Sequence, residues 1–178
     1  MPFEFVKLEI KDAYLIKAKA FGDGRGYFAE TYKRSDFKSM GINVDFKQDN
    51  QSFSVKGTLR GLHFQKSPYS QGKLVRVVRG KIFDVGVDLR QNSRTYGEYI
   101  SAILSDENMQ MLWIPEGFAH GFQAIEDSIV SYKTTSEYNK ESEGGVIWND
   151  PDINVKWPEK PTELSEKDKS WPRFSDLK

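Results

Sequence analysis

The sequence predicts a mainly β protein, a sandwich or barrel of the jelly-roll kind, and three observations support this fold class. Short apolar segments with a period of two residues recur along the middle of the chain. Residues that favour turns, chiefly glycine, proline, asparagine and aspartate, separate these segments. Helical periodicity is scarce in the same region. Many short strands at regular spacing are typical of a sandwich or a barrel.

The first predicted element is a short helix near residues 33–41, which read KRSDFKSMG. A serine can cap the start of a helix with its side-chain oxygen, and a glycine commonly follows the last turn. We therefore expect Ser35 to cap this helix and Gly41 to end it.

The strands that follow are predicted from alternation, which is plainest in segment 81–89, KIFDVGVDL. One face of this segment carries apolar side chains, those of Phe83, Val85, Val87 and Leu89. The other face carries Asp84, Gly86 and Asp88. This alternation is what a half-buried strand requires. Similar strands are predicted in KLVRVV, GEYISAIL, QMLWI, GFQAI and SIVSYKT.

The C-terminal third differs in composition from the rest of the chain. It is rich in proline, tryptophan and charge, which predicts a segment that lies over the barrel rather than a strand within it. Its tryptophans argue against disorder, and a second short helix is expected to begin at Ser165. Since the sequence shows no linker, repeat or low-complexity tract, we expect a single domain over residues 1–178.

Composition narrows the function. The 26 basic and 26 acidic side chains balance, so nothing favours a nucleic acid or an anionic membrane surface as partner, and a small ligand is expected. The chain has no cysteine, which excludes a disulfide framework, thiolate catalysis and cysteine metal sites. No apolar run approaches 18 residues and the N-terminus mixes charges with apolar residues, so neither a spanning helix nor a secretory signal is expected. These features together predict a cytoplasmic protein.

The two histidines of the chain both lie in strand and turn contexts. In GTLRGLHFQK, residues 57–66, alternation puts Gly61, His63 and Gln65 on one face of a strand. A polar face on a barrel strand indicates either an exposed outer wall or a lined cavity. His120 follows the turn formed by Pro115 and Gly117. A lone histidine is more often a hydrogen-bonded structural residue, but two of them in one small barrel favour a site.

Several motifs carry a resemblance to a known family. Segment 115–122 reads PEGFAHGF and fits the second motif of the cupin superfamily, Pro-x-Gly-x-x-His. The chain also resembles the dTDP-4-dehydrorhamnose 3,5-epimerase family from about Phe21 to Asp168, with the motifs in order: FGDGRGYFAETY, QDNQSFS, GTLRGLHFQ, QGKLVRVVRGKIFDVGVDLR, LWIPEGFAHGF, YKTT, GGVIWNDP and ELSEKD. The resemblance implies a cupin-type jelly-roll barrel, or double-stranded β-helix, with short helices mostly toward the C-terminus.

The resemblance also implies residue roles. The family's base matches His63, its acid matches Tyr132, and the aspartate coupled to the base matches Asp168. The family's ligand contacts match Arg25, Phe28, Glu30, Gln48, Asn50, Arg60, Lys73, His120, Tyr138, Glu143 and Lys167. Many members carry two adjacent tyrosines where this chain has Glu137 and Tyr138, so the stacking role of Tyr138 is less firmly implied.

The implied reaction inverts C3 and C5 of dTDP-4-dehydro-6-deoxyglucose, and its chemistry suits these residue types. Both carbons lie next to a carbonyl, so one base can remove either proton if the enolate is stabilised. An imidazole, with an ordinary pKa of about 6.5, suits that base near neutrality. Lys73 could stabilise the enolate oxygen, and Tyr132 could donate from the opposite side of the sugar. Neither a metal nor another cofactor is implied, and the resemblance implies a homodimer in which an N-terminal strand crosses to the partner.

Other interpretations stay open from the residues alone. Asp168 could be only the third member of a helix capping box that starts at Ser165, Lys73 could lie on a solvated wall, and Tyr132 could be an ordinary strand aromatic. The chain could be a metal-dependent cupin oxygenase or isomerase, although Gln65 stands where a second histidine ligand is usual. It could also be a non-catalytic sugar-nucleotide binder, or an epimerase that acts at C3 only or at C5 only.

Strict alternation raises one geometric question. It puts Arg60 and His63 on opposite faces, although the family uses both for its ligand. We therefore predict a bulge or kink at Gly61, or an Arg60 side chain that reaches the ligand from the barrel rim.

Overall fold

A computed structural model describes residues 1–177 and shows two antiparallel sheets packed face to face, with a separate hairpin. The strands are β1 (Phe3–Lys7), β2 (Tyr14–Ala18), β3 (Ala20–Asp23), β4 (Gly26–Ala29), β5 (Gln48–Ser54), β6 (Leu59–Gln65), β7 (Lys73–Arg79), β8 (Lys81–Asp88), β9 (Tyr99–Ser105), β10 (Gln110–Ile114), β11 (Phe118–Ala124), β12 (Ser128–Thr134) and β13 (Glu143–Gly145). The helices are α1 (Arg34–Ser39) and α2 (Glu166–Ser170), with 3₁₀ turns at Lys140–Ser142 and Phe174–Asp176. The mainly β, jelly-roll prediction is confirmed.

The two sheets form the walls of the barrel. One has the strand order β1-β2-β10-β7-β12-β5, the other has the order β13-β6-β11-β8-β9, and β3 and β4 pair only with each other. The core between the walls is apolar: Val75, Leu112 and Val130 of the first sheet belong to one buried cluster with Ile82 and Leu104 of the second. Burial of these branched side chains is the main force that holds the walls together.

The strand predicted at residues 81–89 is present as β8, but the expectation that it is half buried is wrong. Asp84 and Asp88 are both fully buried, as are Val85 and Val87 on the other face. The valines pack under Ile153 in a cluster with the C-terminal segment, so the apolar face is the outer one and the polar face is the inner one. A layer of chain laid over the sheet reverses what alternation alone suggests.

The C-terminal segment lies over the five-stranded sheet, as the sequence predicted. Val146 and Ile153 belong to its buried cluster, with Trp157 and Phe174 packed against them. The backbone N–H of Leu59 donates to the carbonyl of Glu163, which ties the segment to the start of β6. This covering layer delivers α2 to the mouth of the barrel.

The sequence predicted the N-cap of α2 correctly and that of α1 wrongly. Ser165 is the N-cap of α2, and its hydroxyl accepts a hydrogen bond from the Asp168 N–H at 3.0 Å, as expected. Ser35 does not cap α1: the N-cap is Lys33, and the Ser35 hydroxyl bonds to Asp36 instead. Gly41 follows the end of α1 with a positive φ of 92°, which a glycine adopts readily.

Within residues 1–177 no helix is long and apolar enough to cross a membrane.

Candidate active site

A cavity of about 650 Å³ opens between the two sheets and is lined by half of the site residues that the sequence singled out. It joins a second cavity of about 320 Å³, because both are lined by His63, Lys73 and Tyr132. The first is also lined by Arg60, His120, Lys167 and Asp168. The second is also lined by Gln48, Asn50, Tyr138 and Glu143. The polar face of β6 therefore borders an internal cavity and not an outer wall.

A bulge at Gly61 lets one strand present both Arg60 and His63 to this cavity. His63 pairs with His120 of β11, while Arg60 pairs with Phe122, so three steps along β6 oppose two along β11. Gly61 has φ 140°, and a Cβ there would lie 2.5 Å from the Cα of Gly121. Only glycine fits so close a backbone approach. The predicted distortion is confirmed, and it turns the Arg60 side chain toward the site.

Arg60 is held at the rim by the edge strand β5. Its Nε donates to the Ser54 hydroxyl and its Nη2 to the Phe53 carbonyl, both at 3.0 Å. These bonds fix the plane of the guanidinium, which can then offer its other N–H groups to an anion.

His63 and Asp168 form the closest polar contact of the site, with Nε2 and Oδ1 2.5 Å apart. The Asp168 side chain is 5% exposed and that of His63 is 32% exposed. Burial raises the pKa of Asp168, but the hydrogen bond and the charge of His63 outweigh it, so this pKa lies below its ordinary value. Because the carboxylate accepts the Nε2 proton, the lone pair of the neutral ring lies on Nδ1, which can take a proton from a ligand.

The geometry reconciles the two interpretations of Asp168. Its backbone N–H is capped by Ser165, as a capping box predicts, yet its carboxylate bonds to His63 rather than back to the helix start. The short helix α2 therefore serves to hold the carboxylate in place.

Lys73 and Tyr132 lie on the sheet opposite His63. Lys73 begins β7 beside Thr134 of β12, two residues from Tyr132. Burial lowers the pKa of Lys73 to about 8, even though the charges of Asp84 and Glu143 act to raise it. Burial raises the pKa of Tyr132, so its hydroxyl stays protonated near neutrality. Lys73 does not lie on a solvated wall, since it is only 8% exposed.

His120 has a partner that the sequence did not single out, Asp84. Its Nε2 lies 2.7 Å from Asp84 Oδ1, and the carboxylate is fully buried. Burial lowers the pKa of His120 despite the opposing influence of Asp84, so the ring is neutral near pH 7. The signal in the sequence was an aspartate on the face of β8 shared with Gly86, but alternation made that face look solvent-exposed.

At the mouth of the second cavity, Tyr138 lies beside a carboxylate. Its hydroxyl donates to Glu143 at 2.8 Å, and Glu143 also pairs with Lys167 at 2.5 Å. Burial raises the pKa of Glu143, but the bonds from Lys167 and Tyr138 outweigh it and keep this carboxyl ionised. Gln48 accepts the backbone N–H of Tyr138 and donates to Asn50, so these mouth residues form one network.

Three residues singled out by the sequence lie outside the cavity that residues 1–177 form. Arg25 is at the tip of the β3–β4 hairpin, where it pairs with Asp23 at 2.5 Å and its side chain is 90% exposed. Phe28 and Glu30 lie on or just after β4, and Phe28 is exposed. The single chain therefore does not bring them to His63.

Comparison with known proteins agrees over nearly the whole chain. Residues 7–176 match the family described as dTDP-4-dehydrorhamnose 3,5-epimerase. The protein of that name from Methanothermobacter thermautotrophicus is 51% identical over 173 residues, which cover 95% of this chain and 93% of the relative. The crystal structure of the enzyme of that name from Elizabethkingia anophelis superposes with a TM-score of 0.94 at 45% identity, covering 99% of each chain.

A third relative was solved with a sugar nucleotide. The dTDP-6-deoxy-D-glucose-3,5-epimerase from Legionella pneumophila, in complex with dTDP-4-keto-L-rhamnose, superposes with a TM-score of 0.95 at 40% identity and covers 99% of this chain and 95% of its own. Agreement in sequence and in fold at this level and over this length leaves one assignment, and the chain belongs to the dTDP-4-dehydrorhamnose 3,5-epimerase family.

Proposed function

We propose that this chain converts dTDP-4-dehydro-6-deoxyglucose to dTDP-4-dehydro-L-rhamnose, the double epimerisation at C3 and C5 in dTDP-rhamnose biosynthesis. The observation that carries this proposal is the placement of His63 and Tyr132 on opposite sheets around one cavity. Inversion of a carbon needs a base on one side and an acid on the other.

His63 acts as the base. Its Nδ1 takes the proton from C5 or C3, the C–H electrons form the enolate double bond, and the carbonyl electrons move onto the sugar O4. Asp168, 2.5 Å from Nε2, orients the ring and stabilises the imidazolium that forms. An aspartate with a lowered pKa remains charged throughout, as this role requires.

Lys73 stabilises the enolate. Its ammonium is buried in the cavity wall, where a charge acts more strongly on a developing oxyanion than it would in water. His120, neutral and hydrogen-bonded to Asp84, adds an uncharged polar contact on β11, the strand beside His63. Since the pKa of Lys73 is about 8, the ammonium form prevails at neutral pH.

Tyr132 completes each inversion. Its hydroxyl gives a proton to the carbon from the side opposite His63, and both groups then exchange protons with solvent before the second carbon reacts. The raised pKa of Tyr132 keeps the proton available between turnovers.

The remaining residues bind the nucleotide. Arg60 and Lys167 supply cations for the diphosphate at the rim of the larger cavity. Gln48, Asn50 and Tyr138 border the smaller one and offer amides and an aromatic ring to the nucleoside. These residues account for binding and for both proton transfers, so the proposed reaction uses no cofactor.

A homodimer would bring the β3–β4 hairpin, with Arg25, Phe28 and Glu30, to the site of a second copy. The β3–β4 hairpin pairs only with itself and exposes Phe21, Tyr27 and Phe28. An exposed apolar hairpin is suited to pack on a second copy, where Arg25 and Glu30 would reach the partner's nucleotide. Sedimentation equilibrium at micromolar concentration should give a dimer; a fully active monomer would contradict this part of the proposal.

We further propose that the whole chain acts as one domain in the cytoplasm. The C-terminal segment supplies Asp168 to a barrel formed by earlier residues, so no shorter part carries the complete site. The absence of cysteine suits a reducing compartment.

The metal-dependent alternative is not favoured. Gln65 borders the smaller cavity, but its amide is hydrogen-bonded to two backbone carbonyls and a backbone N–H. Over residues 1–177 no group of three or more His, Cys, Asp or Glu side chains is arranged to hold a metal ion.

Incubation with dTDP-4-dehydro-6-deoxyglucose in deuterated water, followed by NMR of C3 and C5, tests the proposed roles. His63→Asn keeps a polar side chain but removes the base, so it should abolish both exchange and inversion. Tyr132→Phe deletes only the hydroxyl, so the enolate still forms and takes deuterium from the side it came from. Inversion should fall by roughly 10²–10⁴-fold while exchange falls less. Equal loss of both in Tyr132→Phe would remove Tyr132 from the role of opposing acid.

A further inference from the structure

Gln65 is a buried amide two residues beyond the base, and it makes three hydrogen bonds to backbone groups of two loops. Its Nε2 donates to the carbonyl of Tyr69 at 2.6 Å and to the carbonyl of Glu137 at 3.1 Å. Its Oε1 accepts the N–H of Asn139 at 2.7 Å. The residue is 7% exposed. Burying an amide costs free energy unless its donors and its acceptor are all paired. Breaking any of these three bonds is therefore unfavourable, and the three backbone groups are held in place.

These bonds bracket Tyr138. Gln65 holds the residue before it and the residue after it, while Gln48 from the opposite sheet accepts the N–H of Tyr138 itself at 2.8 Å. Three consecutive backbone positions of the loop after β12 are thus fixed by two glutamine side chains. Tyr138 is 54% exposed and borders the smaller cavity.

A second connection joins the same residues through β13. Glu143 pairs with Gln65 in the β13–β6 register, and its carboxylate accepts the Tyr138 hydroxyl at 2.8 Å. The backbone on either side of Tyr138 is therefore bonded to the Gln65 side chain, and the Tyr138 hydroxyl is bonded to Glu143, which is the β-strand partner of Gln65. An exposed aromatic ring that is fixed at both ends is a preorganised surface for a planar base, because little rotational freedom is lost on binding.

We propose that Gln65 is a positioning residue for nucleotide recognition: it acts through the 137–139 turn to hold the Tyr138 ring at the cavity mouth. This inference rests on the proposed function, since it takes dTDP as the nucleotide. Although Gln65 lies two residues from His63 on β6, it is expected to affect nucleotide binding and not proton transfer.

The proposal predicts a particular kinetic signature. Gln65→Met keeps the length of the side chain but removes all three bonds, and Gln65→Glu keeps an acceptor but loses both donors. Each should weaken dTDP binding in calorimetry and raise KM for dTDP-4-dehydro-6-deoxyglucose by about fivefold or more, with kcat within about twofold. Only Gln65→Glu can still accept the hydrogen bond from the Asn139 N–H, so it should weaken dTDP binding less than Gln65→Met does.

The chain offers a matched control in Gln123. This glutamine is 1% exposed on β11, and its amide also bonds to the backbone of a loop, accepting from and donating to Glu159 at 3.3 and 2.9 Å. Gln123→Met removes a comparable buried amide away from Tyr138. It should lower Tm to a similar extent while leaving KM and the Kd for dTDP within about twofold.

The deciding measurement is a double-mutant cycle with Tyr138→Ala. If Gln65 acts through the ring, Gln65→Met should have no further effect on the dTDP Kd in that background. An undiminished effect there, a loss of kcat without a change in Kd, or failure of both Gln65 variants to fold would overturn the proposal. Wild-type protein that binds dTDP but does not turn over the keto sugar would sink the proposed reaction and leave this inference standing, because the cycle is read in dTDP binding alone.

Discussion

The buried lysine should impose an alkaline limit on activity. Lys73 has a pKa of about 8, lowered chiefly by burial, and the proposed mechanism uses its charged form. Raising the pH removes that charge while leaving Tyr132 protonated, since burial raises the pKa of Tyr132 above its ordinary value of 10.0. The value of kcat/KM, which reports the free enzyme, should therefore fall as the pH rises through about 8.

The size of the fall follows from the titration. With a pKa of about 8, Lys73 is roughly 90% charged at pH 7 and roughly 10% charged at pH 9. The value of kcat/KM should drop by about tenfold between these two pH values, and by a further tenfold per unit above them. Lys73→Arg keeps its charge over this range, so the kcat/KM of this variant should not fall between pH 7 and pH 9.

Stability should change in the opposite direction. In the folded chain Lys73 titrates near pH 8, whereas in the unfolded chain it titrates near 10.5, so between these values the unfolded chain binds more protons and the free energy of unfolding rises with pH. The penalty for burying the charge, about 3 kcal/mol below pH 8, disappears by about pH 10.5. The gain in stability of Lys73→Met over the wild type should shrink by about that amount over the same range.

The assay is steady-state turnover from pH 6 to 10, with denaturant unfolding of the wild type and Lys73→Met at the same pH values. A wild-type kcat/KM that stays level from pH 7 to 9.5 would show that the charge on Lys73 does not stabilise the enolate. A stability difference between the two proteins that does not change with pH would show that the folded and unfolded chains bind the Lys73 proton equally, and so that burial does not lower its pKa.

Three further outcomes are expected. Asp168→Asn should lower kcat by about 10²-fold or more and reduce deuterium exchange by the same factor, because Asp168 acts through His63; exchange that persists at the wild-type rate would contradict this. Gly61→Ala should lower the free energy of unfolding by about 3 kcal/mol or more in denaturant titration, since its Cβ would meet Gly121 at a positive φ; an unchanged midpoint would contradict the bulge. Prolonged treatment with EDTA should leave turnover unchanged, whereas activity lost and then restored by a divalent ion would revive the metal-dependent alternative.

Local signals in the sequence located the elements and the reactive groups. Alternation in KIFDVGVDL and its neighbours predicted strands that the structure contains, because a strand buried against a core needs apolar side chains at every second position. The serine before EKD predicted the cap of α2, which depends only on bonds within a few residues. The distortion of β6 at Gly61 was predicted differently, because the family uses both Arg60 and His63 although alternation puts them on opposite faces.

Other features depended on how far-apart segments pack. Ser35 resembles an N-cap as Ser165 does, yet the N-cap of α1 is Lys33, two residues earlier, and this helix packs Phe37 into the core. Alternation divides β8 into two faces but cannot say which is inside; the C-terminal layer decides this and leaves Asp84 buried next to His120.

By itself the sequence determined the fold class, the positions of the strands in the middle of the chain and, through its motifs, the family. Only the tertiary structure decided what each polar side chain does. The bond between His63 and Asp168 joins residues 105 positions apart, and Gln65 holds a loop 72 positions away. Periodicity and capping extend over a few residues, whereas contacts between segments this far apart are fixed by how two sheets and a covering layer pack against one another.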